Sequence, residues 1–140
     1  MASDSGQQAS VVASFSQTYR QLGAKVLLDV EREVRGANVG ANGYTTIAQA
    51  DLLADRLGLR RGLRLLDVGS GRGWPGLRLA KETGCEAVMT DIATPALSAG
   101  LRNVRTERLH LRCAFVVASG THLPFRPRTF DAVVHTDVLC

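Results

Sequence analysis

Residues 65–76 read Leu-Leu-Asp-Val-Gly-Ser-Gly-Arg-Gly-Trp-Pro-Gly, and no other stretch limits the possible folds as sharply. An apolar run that ends in alternating glycines, followed by Pro75 suited to the first turn of a helix, predicts a strand–loop–helix unit. Glycines at 69, 71 and 73 strip side chains from the turn, so backbone can approach a ligand closely. The free N–H groups of the next helix then face an anion. About 20 residues on comes Asp91, at the end of the next short apolar run, where a carboxylate can accept from both hydroxyls of a ribose. A glycine loop joined to an acidic strand end is a nucleoside-binding arrangement. The plain alternative is a tight turn with a surface aspartate, and the strand-before, helix-after context weighs against it.

The rest of the chain repeats that unit. Strand-like apolar runs are predicted at 63–68, at 87–89 closing on Asp91, at 113–118 and at 130–134. Between them, a helix beginning at Pro75 is ended by Gly84, and Thr94-Pro95 starts another whose Leu97, Leu101 and Val104 share a face. Strands alternating with helices give a parallel sheet with right-handed crossovers, so the fold class is α/β. Upstream, Phe15, Tyr19, Leu22, Val26, Val30 and Val34 recur at steps of three and four, one helical face interrupted at Gly23. Residues 36–43 read as a flexible glycine-rich loop. Thr46 then caps a second helix, with Gln49 completing a capping box, an Ala50, Leu53, Ala54 and Leu57 stripe, and Gly58 as its stop.

Composition removes several function classes. The 140 residues are 45% hydrophobic, enough for one packed domain and too apolar for a disordered chain. No apolar run reaches the roughly 18 residues that cross a bilayer, and the polar first ten residues predict no secretory signal. Cys85, Cys113 and Cys140 are odd in number and far apart. They exclude a disulfide scaffold and a zinc finger, predict no metal site, and fit a reducing cytoplasm. The net charge of +4 is spread over arginines, with Arg60, Arg61 and Arg64 the one tight cluster, and aromatics are only 5%. A basic stripe interleaved with aromatics is missing, so nucleic acid is not an expected partner.

The nucleoside itself is ambiguous from the loop alone, because Gly71, Gly73 and Gly76 match the dinucleotide fingerprint G-x-G-x-x-G literally. A nicotinamide-binding Rossmann protein therefore stands as one reading. Against it, Asp67 at the strand end is an awkward neighbour for a pyrophosphate but suits a ligand carrying an amino group. Further along come Ala118-Ser-Gly-Thr-His-Leu123-Pro124-Phe125 and Phe130-Asp131-Ala-Val-Val134-His-Thr-Asp-Val138-Leu139. Three motifs in this order, over residues 57–140, closely resemble the class I S-adenosylmethionine-dependent methyltransferases of the small-molecule branch.

The resemblance implies a Rossmann-like, doubly wound, mostly parallel sheet, with residues 1–45 as a helical segment and lid hinge and 46–140 as the first part of the methyltransferase domain. It implies S-adenosyl-L-methionine as cofactor and methyl transfer by in-line displacement to a small-molecule acceptor. At matching positions, Gly69, Ser70, Gly71 and Gly73 would line the methionine part, with Asp67 near its amino group. Asp91 would bind the ribose and Ile92 would lie against the adenine. Ser119 holds the place of an aspartate that in the family takes the adenine amino group. Its hydroxyl, with the Gly120 and Thr121 backbone, offers an uncharged hydrogen bond. Tyr44 would reach over the cofactor from the lid, and His135 would fall near the sulfonium. No nucleophile–base spacing stands out, so the catalytic residue is unassigned, with His135 as the candidate base and Asp137 and Tyr44 beside it. The family builds seven strands and this chain carries four. The resemblance thus also implies truncation after strand 4, a non-catalytic or partner-dependent fragment as an alternative reading, and an exposed strand-4 edge open to self-association or a partner chain.

Overall fold

The computed structural model describes residues 2–21, 25–35 and 43–138. Helices α1 (Ala2–Gln21), α2 (Lys25–Arg35) and α3 (Ile47–Arg56) precede β1 (Arg64–Val68), α4 (Gly76–Thr83), β2 (Glu86–Asp91), α5 (Thr94–Thr106), β3 (Cys113–Val117) and β4 (Ala132–His135). The expected break at Gly23 and most of the loop at 36–43 lie outside the described residues.

The four strands are all parallel and lie in the order β3-β2-β1-β4. From β1 the chain steps outward through α4 to β2 and through α5 to β3, then returns to place β4 on the other side of β1. That reversal between β1 and β4 makes the crevice at their carboxyl ends the place where a ligand of an open α/β sheet is held. The α/β, Rossmann-like architecture expected from the sequence is the one observed.

Register sorts the side chains. Leu65 stands opposite Ala87 and Ala132, and Asp67 opposite Met89 and Val134. These residues point to one face, where Leu65, Ala87, Met89, Cys113 and Val134 form a core with Leu79 and Ala80 of α4 and Val104 of α5. The alternate residues of the outer strands, Ala114 and Val133, are exposed on the opposite face. Asp131 fastens the start of β4. Its carboxylate accepts the Arg64 N–H at 2.8 Å and its own N–H donates to the Arg64 carbonyl at 2.8 Å.

Local signals held where they are self-contained. Thr46 and Gln49 close the capping box of α3 in both directions, and Gly84 ends α4 in the left-handed conformation, φ 75°. Three expectations change. The first helix begins at Ala2, well ahead of the apolar face that starts at Phe15. In α2 the valines expected to pack are exposed, Val26 at 72% and Val34 at 74%, while Glu31, on the neighbouring flank of the helix, is buried. Glu31 favours the charged form of the half-buried Arg72 guanidinium, against the burial that lowers it. In α5, Leu97 and Val104 are buried but Leu101 is exposed. Its N-cap is Ala93 rather than Thr94, because Asp91 already takes the Ala93 N–H at 2.8 Å.

Candidate functional site

At the end of β1 the backbone turns sharply over β2. The N–H groups of Gly69 and Ser70 both donate to the Thr90 carbonyl, at 2.8 and 3.0 Å, and the Ser70 carbonyl accepts from Gly73 and Trp74. Gly69, Gly71 and Gly73 all have positive φ, 70°, 56° and 98°, in the left-handed region that costs any other residue about 1–2 kcal/mol. At Gly71 space is the second constraint, since a Cβ there would stand 2.2 Å from the Tyr19 hydroxyl.

Two buried carboxylates brace this turn in different ways. Asp91 accepts the Gly71 N–H on Oδ2 and the Ala93 N–H on Oδ1, each at 2.8 Å, and still borders the cleft. Each oxygen keeps accepting capacity for a ligand hydroxyl. Asp67 is fully buried. Its Oδ2 takes the N–H of Gly76, the first residue of α4, at 2.8 Å, and its Oδ1 has no partner. Burial drives its carboxyl well above the usual range, Asp91 adds to the rise, and the Gly76 N–H opposes it.

The cleft above the loop measures about 610 Å³. Of the residues singled out in the sequence, Gly69, Ser70, Asp91, Ile92, Ser119, Gly120, Thr121 and His135 line it. Asp67, Gly71, Gly73 and Tyr44 do not. Asp67, expected near a ligand amino group, lies beneath the loop, where it holds the start of α4. Gly71 and Gly73 shape the loop. The ring of Tyr44, expected to reach over the cofactor, is 87% exposed, because the backbone around it is pinned the other way. The Tyr44 N–H, the Thr45 N–H and the Thr45 hydroxyl all donate to Asp137 Oδ2, at 2.8, 3.2 and 3.0 Å. Trp74 holds the same segment from the loop side, its indole N–H donating to the Thr45 carbonyl at 2.9 Å. Asp137, weighed in the sequence as a base, is thus a fastener, and Trp74 joins it.

The adenine-side turn is held internally. Ser119 and Thr121 share a hydroxyl–hydroxyl bond of 2.9 Å, the Thr121 N–H donates to the Ser119 hydroxyl, and the Thr121 hydroxyl meets His122 Nδ1 at 2.9 Å. His135 is exposed on the rim. Sequence reasoning missed Tyr19, Phe15 and Val11 of α1, which also border the cleft. Their four-residue spacing was visible only in part, and it read as a core face. Tyr19 is buried against Ala93 and Ala96, and burial, reinforced by the Asp91 carboxylate, holds its phenol well above the usual range, with Arg72 opposing. Its O–H is a neutral donor at the glycine loop.

Among the described residues, Ser70 on the cleft wall has a buried hydroxyl without a partner. A buried unsatisfied hydroxyl in a residue that lines a cleft suits a polar ligand group. With the bare loop and the anchored Asp91, it makes the cleft suitable for a nucleoside ligand. No cluster of three metal-ligating side chains exists among the described residues.

A family model described as a methyltransferase domain matches residues 65–140, from β1 through the loop, Asp91 and the β4 exit. The chain belongs to that methyltransferase domain family. Among curated relatives, it is 35% identical over 81 residues to the methyltransferase GfsG of Streptomyces halstedii, covering 58% of this chain and 29% of that protein. Among solved structures, it is similar to a geranyl diphosphate methyltransferase in complex with GPP and sinefungin, at 27% identity and a TM-score of 0.59 over 63% of this chain and 33% of that one. It is also similar to the [4+2]-cyclase SpnF, at 31% identity and a TM-score of 0.58 over 61% of this chain and 32% of that one. The methyltransferase domain described here thus spans about a third of the length of the proteins it matches.

Proposed function

We propose that this methyltransferase domain binds S-adenosyl-L-methionine in the cleft at the β1–β4 reversal and transfers its methyl group to a small-molecule acceptor. The observation that carries the reading is the carboxylate of Asp91. It is oriented by the Gly71 and Ala93 N–H groups at 2.8 Å and borders a cleft within the residues matched by the family. When bound, the cofactor supplies a methyl group activated on a sulfonium for in-line displacement. Alignment alone can be worth about 7–11 kcal/mol in such a step.

The chain's own groups divide the work. Asp91 accepts from the ribose hydroxyls, and Ile92 flanks the adenine. The Ser119–Thr121 turn offers backbone groups and a neutral hydroxyl to the base. Gly69 and the unpartnered Ser70 hydroxyl serve the amino-acid end. Asp67 and Gly73 act one layer back, by keeping the loop and α4 in place. Tyr19 closes the loop from above. His135, on the rim, takes a proton only where the acceptor must lose one.

The nicotinamide alternative is disfavoured by the Gly76 N–H. A dinucleotide's phosphate would use the first free N–H of α4, and Asp67 already occupies it. Calorimetric titration with S-adenosylhomocysteine and with NAD decides between them. Micromolar binding of the first and none of the second is expected; the reverse overturns the proposal. The likeness to a cyclase makes methyl transfer a separate measurement, read as radiolabel moving to an acceptor extract.

We further place self-association at the outer edge of β4, which has a partner strand on one side only among the described residues, beside exposed Val133. Light scattering that grows with concentration, and falls in Val133→Glu, is the expected result. The cytoplasm is the proposed location, supported by the buried, unpaired thiols of Cys85 and Cys113. No described helix is long and apolar enough to cross a membrane.

A further inference from the structure

Val11, Phe15 and Tyr19 stand four residues apart on α1, on one face of the helix, and all three line the cleft. Their burial is graded. Tyr19 is 7% exposed, Phe15 43% and Val11 42%. Contacts at the Tyr19 end of the helix leave the other two side chains half-exposed. Tyr19 packs on Ala93 and Ala96, and Arg72 donates to the Tyr19 carbonyl at 2.7 Å, a cation on the carbonyls of a helix C-terminus. One and two turns back, Phe15 and Val11 line the same cleft as His135, Thr136 and Val138 of the β4 exit.

Charge narrows what can sit there. Among the described residues, no lysine or arginine borders the cleft. Its acids, Asp91 and Asp137, are already engaged by backbone N–H groups. An anionic acceptor would find no counter-charge, and a cationic one only acids committed elsewhere. A half-exposed aromatic ring and a valine on a concave wall, by contrast, are apolar area that a ligand can still remove from water.

We propose that the methyl acceptor is a neutral lipophilic molecule held against Phe15 and Val11, and that Phe15 is its specificity-determining residue. This rests on the methyl-transfer reading, which assigns the loop end of the cleft to the cofactor and leaves the α1 end to the acceptor.

The test uses the full chain with two fluorescent probes, neutral N-phenyl-1-naphthylamine and anionic 1-anilinonaphthalene-8-sulfonate, in saturating S-adenosylhomocysteine. The neutral probe binds the native chain more tightly than the anionic one. Phe15→Asp weakens the neutral probe by about tenfold, as expected for losing one buried ring contact, and Phe15→Trp restores it. In both variants the S-adenosylhomocysteine affinity stays within about twofold of native, which also reports an intact fold. Unchanged neutral-probe binding in Phe15→Asp, or a preference for the anionic probe, overturns the inference while leaving cofactor binding standing. Failure of the native chain to bind S-adenosylhomocysteine instead overturns the methyl-transfer reading, and this inference with it.

Discussion

The glycine loop and the N-terminal arm meet where Gly71 faces Tyr19, yet they are held by different means. The loop is fixed from within. Its amides bond to Thr90 and Ser70 carbonyls and to the Asp91 carboxylate, and its shape follows from glycines that alone accept positive φ cheaply. The arm is held from outside, at separate points: Tyr19 packs on Ala93 and Ala96, Arg72 bonds the Tyr19 carbonyl, and Asp137 and Trp74 hold Tyr44 and Thr45. Attachments spaced along a chain in this way can open locally without global unfolding. The part that would grip the cofactor is therefore built rigid, and the part that covers it is latched.

The largest effect is expected where the two regions touch. Gly71→Val adds a side chain at φ 56° and 2.2 Å from the Tyr19 hydroxyl. Strain and overpacking together are expected to cost about 2–4 kcal/mol in urea denaturation. A loss below about 1 kcal/mol would mean that Tyr19 simply moves aside, and that α1 is no fixed wall.

Asp67 tests the internal bracing by pH. Burial raises its carboxyl well above the ordinary 3.8, so over the window from that value upward the folded chain keeps a proton that the unfolded chain has released. This contribution to stability is complete at low pH and is lost as pH rises through the folded value. Asp67→Asn is expected to flatten that decline in melts taken from pH 4 to pH 8. An unchanged slope would assign the decline to other groups.

The latch is a smaller matter. Asp137→Ala removes the acceptor of three hydrogen bonds at an exposed site, about 1–1.5 kcal/mol in all. The amides of Tyr44 and Thr45 are expected to exchange roughly tenfold faster, with global stability little changed. An equal acceleration across the sheet would show a single rigid unit instead. Smallest is Thr46→Ala, which opens the capping box of α3 for about 0.5–1 kcal/mol and leaves the amides of the glycine loop unaffected.

The same division explains what could be read from the amino acids. The strands, the Thr46–Gln49 box, the Gly84 stop and the glycine loop were legible because each depends on residues within a few positions of one another. Asp91 was legible as a strand-end carboxylate. Its hold on Gly71 and Ala93 was less so, being a contact between two successive βα units. The side of α2 that turns inward was misread: Glu31 is buried there while Val26, Val30 and Val34 are exposed, and the apolar spacing alone does not reveal it. Tyr44 was placed over the cofactor by resemblance, and Asp137, more than ninety positions away, turned its backbone outward. Tyr19 read as core, which it is, but its hydroxyl also reaches the loop. No periodicity reveals that.

The central claim is that the loop, Asp91 and the Ser119–Thr121 turn form one cofactor site. It is tested most directly by amide chemical shifts during titration with S-adenosylhomocysteine. Saturable shifts are expected at Gly69, Ser70, Gly71, Asp91, Ile92 and residues 119–121, with Lys81 and Glu82 at the far end of α4 unmoved. Shifts confined to residues outside that set, or none at millimolar ligand, would contradict it.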